Sequence, residues 1–115
     1  MSDEKLSSLT VSVVIPAYNH QESLDRAVYS VLAQTRLPSE IIIIDDFSDP
    51  PIQVTIKTKV PIKLLRMPKN SGPYAARNYA IKQAVGDLIA LLDSDDEWLP
   101  EKLKYQLDGI YNPKS

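Results

Sequence analysis

Four short apolar runs set the strongest limit on what this chain can fold into: Val11 to Pro16 (VSVVIP), Ile41 to Ile44 (IIII), Ile62 to Met67 (IKLLRM) and Leu88 to Leu92 (LIALL). Their length and their Val, Ile and Leu content mark them as strands. At least three are apolar on successive residues, hence on both faces, and such strands belong to a parallel sheet covered by helices above and below. Helical spacing appears between them. Leu24, Ala27, Val28, Val31 and Leu32 follow the i, i+3, i+4, i+7, i+8 pattern of one buried face, with Pro38 read as the stop before the second strand. Ala76, Tyr79, Ala80 and Ala84 repeat the pattern more weakly, with Gly86 as the expected C-cap. Leu99, Leu103, Leu107 and Ile110 mark a last helix, with Pro100 near its start. Between Pro50 and Val60, two prolines and the β-branched Val54, Thr55, Ile56, Thr58 and Val60 argue against a helix, so that crossover is expected to be short or irregular.

Strands alternating with helices predict an α/β fold, a right-handed βαβαβα chain with a parallel sheet between two helical layers. In such a sheet ligands sit outside the carboxyl ends of the strands, where the strand order reverses. Those ends are Pro16-Ala17-Tyr18-Asn19, Asp45-Asp46-Phe47-Ser48, Pro68-Lys69-Asn70 and Asp93-Ser94-Asp95-Asp96. A doubly wound order of 3-2-1-4 places Tyr18 and Asn19 beside the loop that begins at Asp93.

Composition then narrows the chemistry. At 115 residues the chain has room for one small domain, and 43% hydrophobic with 24% charged residues fits a folded globular protein. Thirteen bases against fifteen acids give a net charge of −2, which offers no overall field for nucleic acid or an anionic membrane. That balance conceals a separation: residues 50 to 86 carry Lys57, Lys59, Lys63, Arg66, Lys69, Arg77 and Lys82 with no acid, while acids gather on either side. With no cysteine and one histidine, thiolate and multi-histidine metal sites are excluded, so a bound metal must be held by oxygen. Residues 1 to 8 lack the apolar core of a signal peptide and no run is long enough to span a membrane, so the cytoplasm is the expected location.

Asp93, Asp95, Asp96 and Glu97 crowd four acids into five residues, and a cation would remove their mutual repulsion. Carboxylate oxygen selects Mg²⁺ or Mn²⁺, and Mg²⁺ is usually completed by phosphate and water, which suits a nucleotide diphosphate. On local composition alone a second reading stands equally: the acids cap the last helix, whose dipole favours them. The phosphate loops G-x-x-x-x-G-K-[ST] and G-x-G-x-x-G are absent.

Four ordered blocks, VSVVIPAYN, IIIIDDFSD, NSGPYAARN and GDLIALLDSDDEWLPEKL, resemble the N-terminal half of family 2 glycosyltransferases of the GT-A fold, over residues 11 to about 108. The resemblance implies a Rossmann-like three-layer αβα architecture with strand order 3-2-1-4. It implies a tail at 1–10, a truncated nucleotide-sugar-binding domain at 11–110 and a tail at the truncation point, 111–115. A UDP-sugar is the favoured donor, transferred to a hydroxyl of a glycan or lipid-linked acceptor with inversion, in polysaccharide, glycolipid or cell-surface glycan synthesis. The nucleotide would be held by Pro16, Ala17, Tyr18, Asn19, Asp45, Asp46, Arg77, Asp93 and Ser94, with Tyr18 stacking on the base and Asp46 accepting its imino hydrogen. Asp45 would support the strand end and ribose side, and Arg77 would meet a phosphate or base edge. Asp93 and Asp95 match the family's D-x-D, with Asp95 on the Mn²⁺ or Mg²⁺ and Asp93 toward the ribose and metal waters. Asn70 and Asp96 are weaker candidates, and His20 and Trp98 are read as loop and packing residues. The catalytic base is expected beyond Ser115, so the chain alone would be inactive in transfer, and the full-length enzyme would be cytoplasmic or attached to the cytoplasmic side of a membrane.

Two departures from the pattern stand out. Phe47 replaces the family's usual glycine after the acid pair, and Asp49-Pro50-Pro51 replaces a helix-starting segment. An exposed sheet edge left by the short length suggests a homodimer. The alternative to a glycosyltransferase fragment is a noncatalytic α/β interaction module whose acids are only surface.

Overall fold

The computed structural model describes residues 8–94 and 96–104. Four strands, β1 (Val11–Ala17), β2 (Glu40–Asp45), β3 (Ile62–Arg66) and β4 (Leu88–Leu91), form one sheet in the order β3-β2-β1-β4 with every neighbouring pair parallel. All seven residues of β1 and all six of β2 are buried, as double-faced apolar strands require. Glu40 is buried with them because Lys63 Nζ lies 2.9 Å from its Oε1, while the Ser12 hydroxyl and the Val85 amide donate to Oε2. These partners outweigh the desolvation that opposes ionisation, and the Glu40 carboxyl is held below the ordinary range.

Two helices cover the two faces of β1 and β2, while Leu64 of β3 and Ile89 and Leu91 of β4 stay exposed, so the burial on both faces expected of at least three strands is found in two. Helix α1 (Gln21–Leu32) buries Leu24, Ala27, Val28 and Val31 against Val11, Val13, Ile15, Ile41 and Ile43. Helix α2 (Pro73–Gln83) presents Ala76 and Ala80 to Val14, Ile42 and Ile44, so that small side chains bring it close to the sheet. The segment between β2 and β3 is neither helix nor strand from residue 46 to residue 61. It lays Ile52 and Val60 into the α1-side core, with Val54 and Ile56 packed against it. The irregular crossover expected there is what is found.

Several local expectations change. Helix α1 ends at Leu32 with Ala33 as its C-cap, well before Pro38, which therefore does not stop it. Helix α2 ends at Gln83 with Ala84 as its C-cap, and Gly86 has a different task. A Cβ at Gly86 would lie 2.6 Å from Ser12 Oγ and 2.7 Å from Ser12 N, so glycine is required for the close approach of this turn to β1. Tyr79 faces solvent, because the buried stripe of α2 is only as wide as two alanines. Leu99 is 80% exposed, whereas Trp98 and Leu103 enter the core. Of the last helix, only 102–104 is described, and Leu107 and Ile110 lie outside the described residues.

Candidate functional site

The carboxyl ends of β1, β2 and β4 meet around a cleft of about 560 Å³. Pro16, Ala17 and Tyr18 supply one wall, Asp46 and Asn70 another, and Asp93 with Ser94 a third. Tyr18 is half-exposed, so its ring is available from solvent. Thus Pro16, Ala17, Tyr18, Asp46, Asp93 and Ser94 are brought together. Asn19, Asp45 and Arg77 do not line this cleft, and Asp95 lies outside the described residues.

The β1 and β2 loops are locked to one another. After Ala17 the backbone turns through two left-handed residues, Asn19 (φ 55°) and His20 (φ 53°), from which α1 departs. The Asn19 amide donates to Ser48 Oγ at 2.6 Å, and the Asn19 side-chain oxygen accepts from the Asp49 amide at 3.1 Å. Gln21 adds a second brace: its Nε2 donates to the Gln53 carbonyl at 2.8 Å and its Oε1 accepts from the Gln53 amide at 2.9 Å. Phe47 (φ 66°) occupies the position where the family pattern has glycine, and its backbone is left-handed there. The Arg66 guanidinium lies 4.6 Å from the centre of its ring.

Asp45 and Asp46 are adjacent and do opposite things. Side chains alternate across a strand, so Asp45 falls on the face of Ile41 and Ile43, while Asp46 falls on that of Ile42 and Ile44, which α2 covers. Asp45 is buried: Oδ1 accepts from the Ser48 amide (2.9 Å), and Oδ2 from the Ile52 amide (3.0 Å) and Arg66 Nη1 (2.7 Å). Burial opposes its ionisation, yet the hydroxyl and amide of Ser48, the Ile52 amide and Arg66 together hold the carboxyl below the usual range. Asp46 instead accepts from the Ser71 amide at 2.8 Å and the Gly72 amide at 2.9 Å, one bond per carboxylate oxygen. It thereby ties the end of β2 to the start of α2, where Gly72 (φ 89°) takes a conformation that favours glycine and Pro73 opens the helix. Each oxygen of Asp46 thus accepts one amide and retains further acceptor capacity, and the residue lines the cleft.

At the third wall, Asp93 faces Arg77 of α2, with Nη2 at 3.3 Å from Oδ1. Asp93 also borders a larger cavity of about 820 Å³, shared with Arg77, Leu91, Asp96 and Trp98. That cavity contains neither Tyr18 nor Asp46 and lies to the side of the rim where the strand ends converge. Among the described residues no three acidic or imidazole side chains converge into a cage for a cation. Asp93 is the exposed carboxylate on the cleft wall, an oxygen donor of the kind that Mg²⁺ and Mn²⁺ take, and one of its oxygens already faces Arg77.

His20, Ser23, Gly72 and Pro73 line the cleft although the sequence reading singled out none of them as binding residues. Ser23 stands in the first turn of α1 and Pro73 in that of α2. The available signal was positional, since helices that follow strands in this fold begin at the rim.

The family model described as Glycosyl transferase family 2 matches residues 12–115. An uncharacterized glycosyltransferase of Rickettsia felis is 43% identical over 109 residues, 93% of this chain and 18% of that protein. The putative teichuronic acid biosynthesis glycosyltransferase TuaG of Bacillus subtilis is 39% identical over 102 residues, 85% of this chain and 40% of its own length. The Escherichia coli WfgD, a UDP-Glc:alpha-D-GlcNAc-diphosphoundecaprenol beta-1,3-glucosyltransferase, is 37% identical over 99 residues, 84% of this chain and 39% of its own. Among solved structures, S. aureus TarS 1-349 in complex with UDP superposes with a TM-score of 0.73 at 30% identity, covering 90% of this chain and 32% of TarS 1-349. The Pyrobaculum calidifontis mannosyltransferase PcManGT, solved with GDP-Man and Mn²⁺, gives 0.75 over 93% of this chain and 34% of its own at 18% identity, a likeness of fold alone. The chain therefore spans less than half the length of these relatives. Its parallel sheet in the order 3-2-1-4 is that of GT-A glycosyltransferases, and the chain belongs to glycosyl transferase family 2.

Proposed function

We propose that this chain is the donor-nucleotide half of a glycosyltransferase and binds a nucleotide-diphospho-sugar, UDP-sugar favoured, in the cleft at the strand ends. The observation that carries the reading is the convergence of Tyr18, Asp46, Asp93 and Ser94 from three separate strand ends on one cavity. Tyr18 offers a ring for a base to stack on, and Asp46 a carboxylate already fixed by two amides and still able to accept from an imino N–H. Asp45 serves from behind the wall, anchoring the 46–52 loop, and Asn19 holds that loop to β1. The UDP and UDP-Glc named with TarS and WfgD support the choice of base.

Asp93, with Asp95 from the D-x-D spacing, would hold Mn²⁺ or Mg²⁺ against the diphosphate. When bound, the ion supplies positive charge that stabilises the leaving group. In the whole protein the sugar passes to an acceptor hydroxyl with inversion, and the base that removes the hydroxyl proton is assigned to the part outside this chain. Polysaccharide or lipid-linked glycan synthesis is the corresponding pathway class, as for TuaG and WfgD by their names. No helix among the described residues is long and apolar enough to cross a membrane. A cytoplasmic site of action, with the whole enzyme attached to the cytoplasmic side of a membrane, and a dimer through an exposed sheet edge complete the proposal.

Calorimetry with UDP, with and without Mn²⁺, tests it. Metal-dependent binding lost in Asp95→Ala is the expected result, and no heat from any nucleotide diphosphate in a folded sample overturns it.

A further inference from the structure

Arg77 was expected at a phosphate or base edge, and in the structure its guanidinium meets a carboxylate on the wall of the cleft. Its side chain is largely withdrawn from solvent, the Tyr74 ring lies 5.5 Å from its central carbon, and Nη2 meets Asp93 Oδ1 at 3.3 Å. Its Nε is buried without an acceptor among the described residues, so the group is not held there by a full set of hydrogen bonds. Asp96, Glu97 and Glu101 border the same cavity as Asp93, and Glu97 is paired with Arg26 at 3.6 Å. Among the described residues, Arg77 is the cation within ion-pair distance of Asp93.

From this geometry we propose that Arg77 is a positioning residue acting through Asp93: it holds the carboxylate on the wall shared by the two cavities and occupies the electrostatic place of the divalent cation until that cation arrives. The inference rests on the nucleotide reading above for the cation's purpose, but the pairing itself is independent of which nucleotide binds. A guanidinium at this distance repels an incoming metal ion while fixing the side chain the ion needs. Removing it therefore has two effects of opposite sign: bare metal binds more tightly, and the metal–nucleotide pair binds less tightly because Asp93 is no longer held. A purely structural role cannot produce that pair of signs.

The test uses the full chain with Mn²⁺ alone, free ion being read by electron paramagnetic resonance, and then UDP in saturating Mn²⁺ by calorimetry. For Arg77→Gln the Mn²⁺ dissociation constant is expected to fall by about three- to tenfold, as loss of one nearby charge at the surface implies, and that for UDP to rise. Arg77→Lys, which keeps the charge, is expected to stay within about threefold of the parent for Mn²⁺ alone. In an Asp93→Asn background, where Arg77 has no carboxylate left to hold, the effect of Arg77→Gln on UDP affinity in saturating Mn²⁺ should vanish, whereas a direct contact of Arg77 with the nucleotide would preserve it. Unchanged or weakened Mn²⁺ binding by a folded Arg77→Gln chain overturns the inference, as does a parent chain that takes up no Mn²⁺. A parent that binds Mn²⁺ but not UDP overturns the nucleotide reading instead, and the Mn²⁺ titration still judges Arg77.

Discussion

Truncating Phe47 in two ways isolates the strain at the rim. Phe47→Ala and Phe47→Gly both remove the ring and its contact with Arg66, so their difference contains neither packing nor the cation–π term. What differs is the Cβ at φ 66°. A left-handed L-residue costs roughly 1–2 kcal/mol that glycine avoids, and against this glycine's freer unfolded chain costs roughly 0.4–1 kcal/mol. The glycine variant should thus be the more stable by about 0.5–1 kcal/mol, or ~2–8 °C in Tm for a domain of this size. Urea unfolding followed by the fluorescence of Trp98, the single tryptophan and a buried one, measures it. The two curves should share one slope, typically about 1–3 kcal/mol/M, so that the midpoints carry the whole difference. An alanine variant equal to or more stable than the glycine variant would refute the assignment of strain to this position. Measured against the parent chain, glycine should lie close to neutral, because relief of strain offsets the lost Arg66 contact, worth about 0.5–1 kcal/mol at an exposed site.

Gly86→Ala should destabilise the chain by about 2–4 kcal/mol, since the new methyl meets Ser12 backbone as well as Ser12 Oγ and breaks the hydrogen bonds around Glu40; differential scanning calorimetry reads the loss. Glu40 and Asp45 both have depressed carboxyl pKa values, so their stabilising contribution is complete above the unfolded carboxylate range and disappears as pH falls through the lower folded values. Urea midpoints should therefore be level from about pH 7 to pH 5 and drop below about pH 4, with the drop reduced in Asp45→Asn, which should already be weaker by about 2–4 kcal/mol at neutral pH. Asp46→Asn retains a similar shape but turns an NH₂ toward an amide donor; it should cost about 1–2 kcal/mol of stability and at least about tenfold in UDP affinity, both measurable on one preparation.

The sheet was legible because Ile41 to Ile44 are apolar at four successive positions, β-branched and bounded by turn residues, a pattern that a strand covered on both faces satisfies. The rim was legible for the same reason, since strand ends follow from strands. Residue parity also separates Asp45 from Asp46: counting from Ile41 sends Asp45 toward the crossover and Asp46 toward α2, a signal that stands beside the separate roles the family resemblance gives them. Gly86 and Arg77 lay beyond such reading. Gly86 looks like a helix C-cap in sequence, and only its approach to Ser12, 74 residues away, shows otherwise. The resemblance assigns Arg77 to a phosphate or base edge, and its pairing with Asp93 shows only once β4 brings that residue beside it.

The interlocking of the β1 and β2 loops bears on the kinetics of binding. Asn19, Gln21, Ser48, Asp49 and Gln53 fix the two segments by hydrogen bonds made entirely within the chain. A ligand arriving at Tyr18 and Asp46 then finds those walls already ordered, and little conformational entropy remains to be lost on their account. Association at this end of the cleft should follow a single concentration-dependent phase, with no slow step of loop assembly behind it.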